Sequence, residues 1–345
     1  MRYRAIEFVV PGRRLTNDDI VRLVAEQSSR FLSDREIAVA QRKMRWLFNA
    51  MGTEVRYCCA DGEKASTLCV EAGRRALEAA AMSPDDIDLL LYVGVGRGFL
   101  EPATANAFQD LLALRNATCF DVMDACASWL RAVHIAQSFL ATGAHREIMI
   151  LNGEFNGSLG QFALRSPDEF DYRFPTYTIG EAATATIVSA SPEPDDYRAE
   201  WRTWGDKRDL CLIPLPNWED FLAAEHESLA PYSFYSWGRS LMEFGLDKLV
   251  EQATELPGFH EPRPDLVFFH AASDGMSKEG MRRMGIDVAR GVYTHERFGN
   301  TVSASLPMAM VAAREEGRLQ DGTDMFVAFA SAGVSTALVR FTYWS

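Results

Sequence analysis

Cysteine is scarce in this chain, and no two cysteines are spaced as metal ligands. Six cysteines in 345 residues (58, 59, 69, 119, 126 and 211) form no CxxC pair. That excludes a disulfide-rich scaffold and points to free thiols in a cytosolic protein, one of them a candidate nucleophile. No His or Cys pair stands at ligand spacing either, so no metal is expected. Basic residues are outnumbered, 35 Lys and Arg against 48 Asp and Glu, for a formal net charge of -13. Without a basic face, nucleic acid is not an expected partner. No run approaches the ~18–20 apolar residues that would span a bilayer. The opening Met1–Pro11 is broken by Glu7 and too short for a signal peptide, so a cytoplasmic location is expected.

What the chain does have is length and apolar content. Hydrophobic residues make up 48%, enough for a full core, and the length suggests about two domains. Short apolar runs alternate with amphipathic segments. Asp88–Val95, Glu147–Asn152, Thr184–Val188, Asp265–His270 and Asp324–Phe329 read as buried strands, and 65–81 as a helix. This alternation predicts an α/β fold with covered sheets. The polar, turn-forming Ser189–Asp196 divides the chain into comparable halves, 1–190 and 191–345. Trp201–Phe244 holds four of the seven tryptophans and reads as irregular elements packed over the core.

Four places carry chemistry. In Phe120-Asp-Val-Met-Asp-Ala-Cys126-Ala-Ser-Trp, a strand-like run ends at Asp124-Ala125 and a helix follows to Gly143. Cys126 then stands at a helix N-terminus, where the dipole and unpaired N–H groups favour thiolate and can hold an oxyanion. His270 closes an apolar strand, at the sheet edge where α/β sites form. Asn300 lies in Phe298-Gly-Asn300-Thr, and Gly333 gives the run Ala328–Ser335 a turn that can face the nucleophile. Each has a plainer reading: a buried small hydrophobe, a core histidine, ordinary turn chemistry.

In combination and in this order, Cys126, His270 and Asn300 resemble ketoacyl-acyl-carrier-protein synthase III. The likeness runs along most of the chain. Gly62–Thr67 is similar to the family's segment before its first long helix, and Ile179–Ala185 to its glycine-rich turn between halves. Gly299–Pro307 is similar to the Gly-Asn-Thr motif, and Ala337–Phe341 to the last strand. The resemblance implies a five-layered αβαβα thiolase fold of two similar halves, and a homodimer. It implies that Cys126 is acylated by an acyl thioester and that His270 and Asn300 stabilise the enolate of a second one. The backbone N–H groups of Cys126 and Ala332 would form the oxyanion hole. Substrates would be thioesters of coenzyme A or acyl-carrier protein, with no cofactor.

The sequence also departs from the family. The usual His-Gln-Ala-Asn reads His270-Ala-Ala-Ser273, Ser128-Trp129 follow the nucleophile's Ala127, and an arginine expected shortly after the histidine gives way to Asp274-Gly275. Arg282 and Arg283 remain as candidates for docking the carrier protein or coenzyme A. In the family, the stretch matching Gly98-Phe-Leu-Glu101-Pro crosses the dimer interface and commonly places Phe in the partner's tunnel. Glu101 there resembles the branch that joins two long acyl chains, in which a glutamate from the neighbouring subunit acts as base. A solvated glutamate before a proline turn is the plainer reading. Other readings of the whole chain are an acyltransferase making esters or amides on a secondary metabolite, and a non-catalytic thiolase-fold subunit.

Overall fold

The computed structural model describes residues 1–155, 161–194, 196–222, 229–270 and 272–345. Ala271 of the His270 motif, Asp195 of the inter-half segment and 223–228 of the tryptophan-rich stretch lie outside the described residues.

The first half contains β1 (Arg2–Val9), β2 (Arg13–Thr16), α1 (Asn17–Ser28), α2 (Asp34–Met51), β3 (Val55–Cys58), α3 (Ala65–Ala79), β4 (Leu89–Val93), α4 (Thr104–Leu111), β5 (Thr118–Val122), α5 (Ser128–Thr142), β6 (Glu147–Glu154), α6 (Phe170–Arg173) and β7 (Ala182–Ser189). The second contains β8 (Arg198–Thr203), β9 (Cys211–Leu212), α7 (Trp218–Phe221), β10 (Tyr235–Ser236), α8 (Gly238–Glu255), β11 (Leu266–His270), α9 (Asp274–Arg283), α10 (His295–Phe298), α11 (Ser305–Glu315), β12 (Asp324–Ser331) and β13 (Ser335–Thr342).

Two sheets carry the fold. The first has the order β1-β7-β6-β4-β5 and the second β11-β12-β13-β8. Read outward from β1 or β8, the two follow one plan: two antiparallel pairings, then a parallel one. β4 is wholly buried along Leu89–Val93, as parallel strands covered on both faces must be. Helices α3 and α4 cover the outer face of the first sheet, α8 and α9 that of the second, and α5 with α11 fills the space between. A single apolar cluster joins Leu91 and Ile150 of one sheet to Phe268 and Val327 of the other through Trp129, Leu130 and Met310 of the two central helices. The result is five layers, αβαβα.

Local signals explain most element ends. Gly143 closes α5 in the left-handed conformation at φ 70°, where glycine carries no Cβ strain. Helices α1 and α2, which hydrophobic pattern alone did not pick out, both begin with capping boxes, Thr16 with Asp19 and Ser33 with Glu36. Helix α2, with 18 residues, is therefore an earlier long helix than α3. Two other expectations change. Residues 182–185 belong to strand β7, not to a turn between halves, and the tryptophan-rich region begins inside β8 and ends inside α8. Trp201 lies within β8, where it packs against the Arg131 guanidinium at 3.5 Å.

Candidate active site

Cys126 lies in a single 3₁₀ turn, Ala125–Ala127, that runs directly into α5. The turn begins with a non-glycine residue in the left-handed region, Ala125 at φ 46°, a strained conformation that persists only where its surroundings enforce it. The enforcing contacts are visible. Ser128 Oγ donates to the Ala125 carbonyl at 2.7 Å and accepts from the Asp124 N–H at 2.8 Å. From the other half, Ser331 at the end of β12 accepts from the Ala127 N–H and donates to the Asp124 carbonyl, both at 3.2 Å. Ala332, the expected second oxyanion donor, is the next residue. Arg131 pairs with Asp124 at 2.9 Å and holds the turn from the α5 side.

The thiol itself departs from expectation. Burial pushes Cys126 up, aided by neighbouring Cys211, Glu154 and Asp124, and outweighs the backbone N–H that favours thiolate. The helix-start placement holds, but desolvation wins over the dipole. Half-buried Cys211 is raised to about 11 by desolvation and lies beside Cys126, which its position in the sequence did not reveal.

His270 ends β11, buried, its ring stacked on Phe329 at 4.4 Å. Burial lowers it to about 4, so it is neutral at pH 7. Asn300 sits where two backbones touch: its N–H donates to the Thr178 carbonyl at 2.8 Å and its carbonyl accepts from Gly180 at 3.0 Å. A Cβ on Gly180 would meet the Phe298 carbonyl oxygen at 2.1 Å, so only glycine fits there. Asn300 Oδ1 accepts from the Val302 N–H at 3.0 Å, which leaves its NH₂ group as the end free to donate. His270 and Asn300 line one cavity, together with His295, Asp274 and Ser305.

Sequence reasoning missed His295 and Asp274. His295 is buried, bonded through Nδ1 to Thr53 Oγ1 at 2.7 Å, and its Nε2 has no hydrogen-bond partner among the described residues. Burial, then the neighbouring His270 and Arg56, lower it to about 3, while the Ala272 carbonyl lies near enough to favour the charged form. Burial lifts Asp274 to about 6, against the His295 and Glu296 backbone N–H groups that stabilise its charge. Ser273 caps α9 through the Met276 N–H at 3.1 Å, which accounts for serine in the altered motif.

Cys126 and Ala332 do not line this cavity, and the remaining expected residues lie outside it as well. Glu101 is exposed, and Phe99 and Leu100 before it are 53% and 70% exposed. Arg282 and Arg283, in the last turn of α9, pair with Glu279 at 3.5 Å and Asp247 at 2.8 Å.

Residues 120–205 match the family model for 3-Oxoacyl-[acyl-carrier-protein (ACP)] synthase III, and residues 258–343 match the model of its C-terminal part. The chain is 25% identical over 334 residues to the beta-ketoacyl-[acyl-carrier-protein] synthase III of Methylococcus capsulatus and 26% identical over 338 residues to that of Thiobacillus denitrificans, with 96% of each chain covered in both cases. This chain is similar to ketoacyl-acyl-carrier-protein synthase III along nearly its whole length. Solved structures agree on the fold. The synthase III of Aquifex aeolicus VF5 superposes with a TM-score of 0.78 at 20% identity over 99% of both chains. A single-residue variant of Xanthomonas campestris OleA superposes with a TM-score of 0.83 at 20% identity, over 99% of this synthase III-like chain and 98% of the other. Among the described residues no helix is long and apolar enough to cross a membrane.

Proposed function

We propose that this chain is an acyl-thioester condensing enzyme that is acylated on Cys126 and then joins that acyl group to a second thioester. The observation that carries this reading is the meeting of two turns. The Cys126 turn packs against the Val302–Ala304 turn that follows Asn300, so nucleophile and enolate donor share one junction. In the first step the Cys126 sulfur attacks the thioester carbonyl. The donor thiolate leaves, and the thiol proton goes with it. Because burial keeps the resting thiol neutral, the proton departs in step with acyl transfer. The N–H groups of Cys126 and Ala332 hold the oxyanion. In the second step the enolate of the second thioester, formed by loss of an α-proton or of carbon dioxide, attacks the acyl carbon. A carbon–carbon bond forms and Cys126 leaves as thiolate. Neutral His270 and the Asn300 NH₂ donate to the enolate oxygen, where cationic groups are not required. No step calls on a bound cofactor.

The working unit is a homodimer, in which Glu101 serves the neighbouring subunit as base. Support comes from the free edge of β5, with Phe120 and Met123 exposed beside it, and from the apolar Phe99-Leu100 that leads to Glu101. The donor is a coenzyme A or carrier-protein thioester. Arg282 and Arg283 are the basic pair its phosphate or acidic surface would meet, in competition with Glu279 and Asp247.

Intact-protein mass spectrometry after incubation with a panel of acyl-CoA thioesters tests the reading. One acyl group per chain, mapped to Cys126, is expected. Mapping to Cys58, Cys59 or Cys211 would overturn it.

A further inference from the structure

The two halves place related turns at the same point of their plans, and each turn is held by the other half. Ala125-Cys126-Ala127-Ser128 leads into α5, and Val302-Ser303-Ala304-Ser305 leads into α11. Both open on a residue in the left-handed region, at φ 46° and 52°. In both, the serine hydroxyl donates to the opening residue's carbonyl at 2.7 Å. The clamps are related as well. Ser331, eighth and last residue of β12, holds the Cys126 turn. Glu154, eighth and last residue of β6, holds the other: its Oε1 accepts from the Ser303 hydroxyl and from the Ser303 N–H at 3.3 Å. Its Oε2 accepts from the Val95 N–H at 3.3 Å, where the loop leading to Glu101 begins. Asn152 Nδ2 completes the cluster, donating to Ser303 Oγ at 2.9 Å. A small neutral serine holds the nucleophile's turn, and a fully buried carboxyl holds the turn after Asn300.

We propose that Glu154 is a positioning residue of the condensing site, clamping the Asn300 turn through Ser303 and governing by its charge how readily Cys126 gives up its proton. The inference rests on the assignment of Cys126 as nucleophile. Burial lifts Glu154 to about 7, opposed by the Ser303 hydroxyl, the Val95 and Ser303 N–H groups and Arg97. Its charge therefore changes near neutrality. The titratable and charged groups that face it are Cys126 from the nucleophile's turn, Cys69 from α3, Tyr92 from β4 and Arg97 from the following loop. Burial pushes Cys69 and Tyr92 well above their ordinary values, so both stay neutral between pH 5.5 and 9.5. That leaves Glu154 as the group whose charge changes there, while Cys126 stays a thiol that reacts through its minor thiolate form. While Glu154 is protonated, the carboxylate beside the thiol is Asp124, which Arg131 offsets at 2.9 Å. Once Glu154 ionises, each thiolate forms beside a buried anion.

The test is the rate of Cys126 alkylation by iodoacetamide, followed by mass spectrometry from pH 5.5 to 9.5 without any acyl substrate. In the wild type, log rate against pH should bend to a shallower slope near 7. Glu154→Gln should remove the bend and, at pH 8, react roughly tenfold faster, the size expected of one nearby buried charge. Ser303→Ala keeps the carboxyl but removes a donor to its charged form, so its bend should move to higher pH. This variant carries the test if Glu154→Gln fails to fold. A Glu154→Gln profile superimposable on wild type, or a Ser303→Ala bend at the wild-type pH, would overturn the proposal. Alkylation needs no acyl transfer, so failure of acylation on Cys126 would count against the proposed function and not against this coupling.

Discussion

The two halves of the molecule build the same turn and put it to different uses. In the first, the second residue of the turn is Cys126, clamped by a serine and packed at the edge of the core. In the second it is Ser303, 1% exposed and engaged by Glu154. The strands differ in the same way: β4 ends in buried Val93 and β11 ends in His270. One half thus presents a thiol on a turn clamped by serines, and the other presents an imidazole and an amide on a frame whose own turn is locked. Backbone geometry alone therefore does not set the chemistry of a turn. The clamp and the side chain it leaves free decide it.

The most damaging result for this comparison would come from moving the thiol. In Cys126→Ala/Ser303→Cys, a cysteine occupies the second turn with the same backbone but with Glu154 beside it. Acylation should fall at least ~10³-fold below wild type, as for loss of a nucleophile. Mass spectrometry that found the acyl group on the new cysteine would mean the two turns are interchangeable.

A smaller effect sharpens the placement of Glu101 in the partner's site. Neither a Cys126→Ala nor a Glu101→Gln homodimer should condense substrates. A verified mixed dimer has one site with both the cysteine and the partner's glutamate, and should recover up to about half of wild-type turnover. No recovery would confine Glu101 to its own chain or to no role. Unimpaired turnover by the Glu101→Gln homodimer would favour loss of carbon dioxide as the route to the enolate.

The smallest effect is thermodynamic. His295 and His270 are held at about 3 and 4, whereas in the unfolded chain each binds a proton near 6.5. Between pH 6.5 and 4 the unfolded state therefore binds more protons at these two sites, and they make stability fall as pH falls. Glu154 and Asp274, raised to about 7 and 6, work in the opposite direction and are unchanged in the comparison. His295→Leu removes one imidazole's share, so its loss of melting temperature between pH 7.5 and pH 5 should be smaller than wild type by roughly 2–4 °C. An equal loss in calorimetry would show that His295 titrates normally.

Much of this was legible in the sequence. The buried strands announce themselves as apolar runs, and the Gly-Asn-Thr turn needs glycine because a Cβ at Gly299 would meet the Thr178 carbonyl oxygen at 2.4 Å. Cys126 was placed at a helix start by the end of one apolar run and the glycine that closes the next helix. The direction of its proton affinity was not legible, because it depends on burial among residues distant in the chain, Cys211 and Glu154 among them. His295 was invisible for a similar reason. It lies on the short helix α10, where no periodicity forms, and its partner Thr53 is 242 residues away. The capping boxes of α1 and α2 were legible signals: Thr16–Asp19 and Ser33–Glu36 stand at the required spacing.

In the proposed division of labour, Cys126 of the first half carries the acyl group and His270 and Asn300 of the second act on the other substrate. His270→Ala and Asn300→Ala, each incubated with acyl-CoA and followed both by intact mass and by product formation, test it most directly. Each variant should still take up one acyl group on Cys126 while condensation falls by ~10²–10³. Loss of acylation in either variant, with circular dichroism unchanged, would contradict the account.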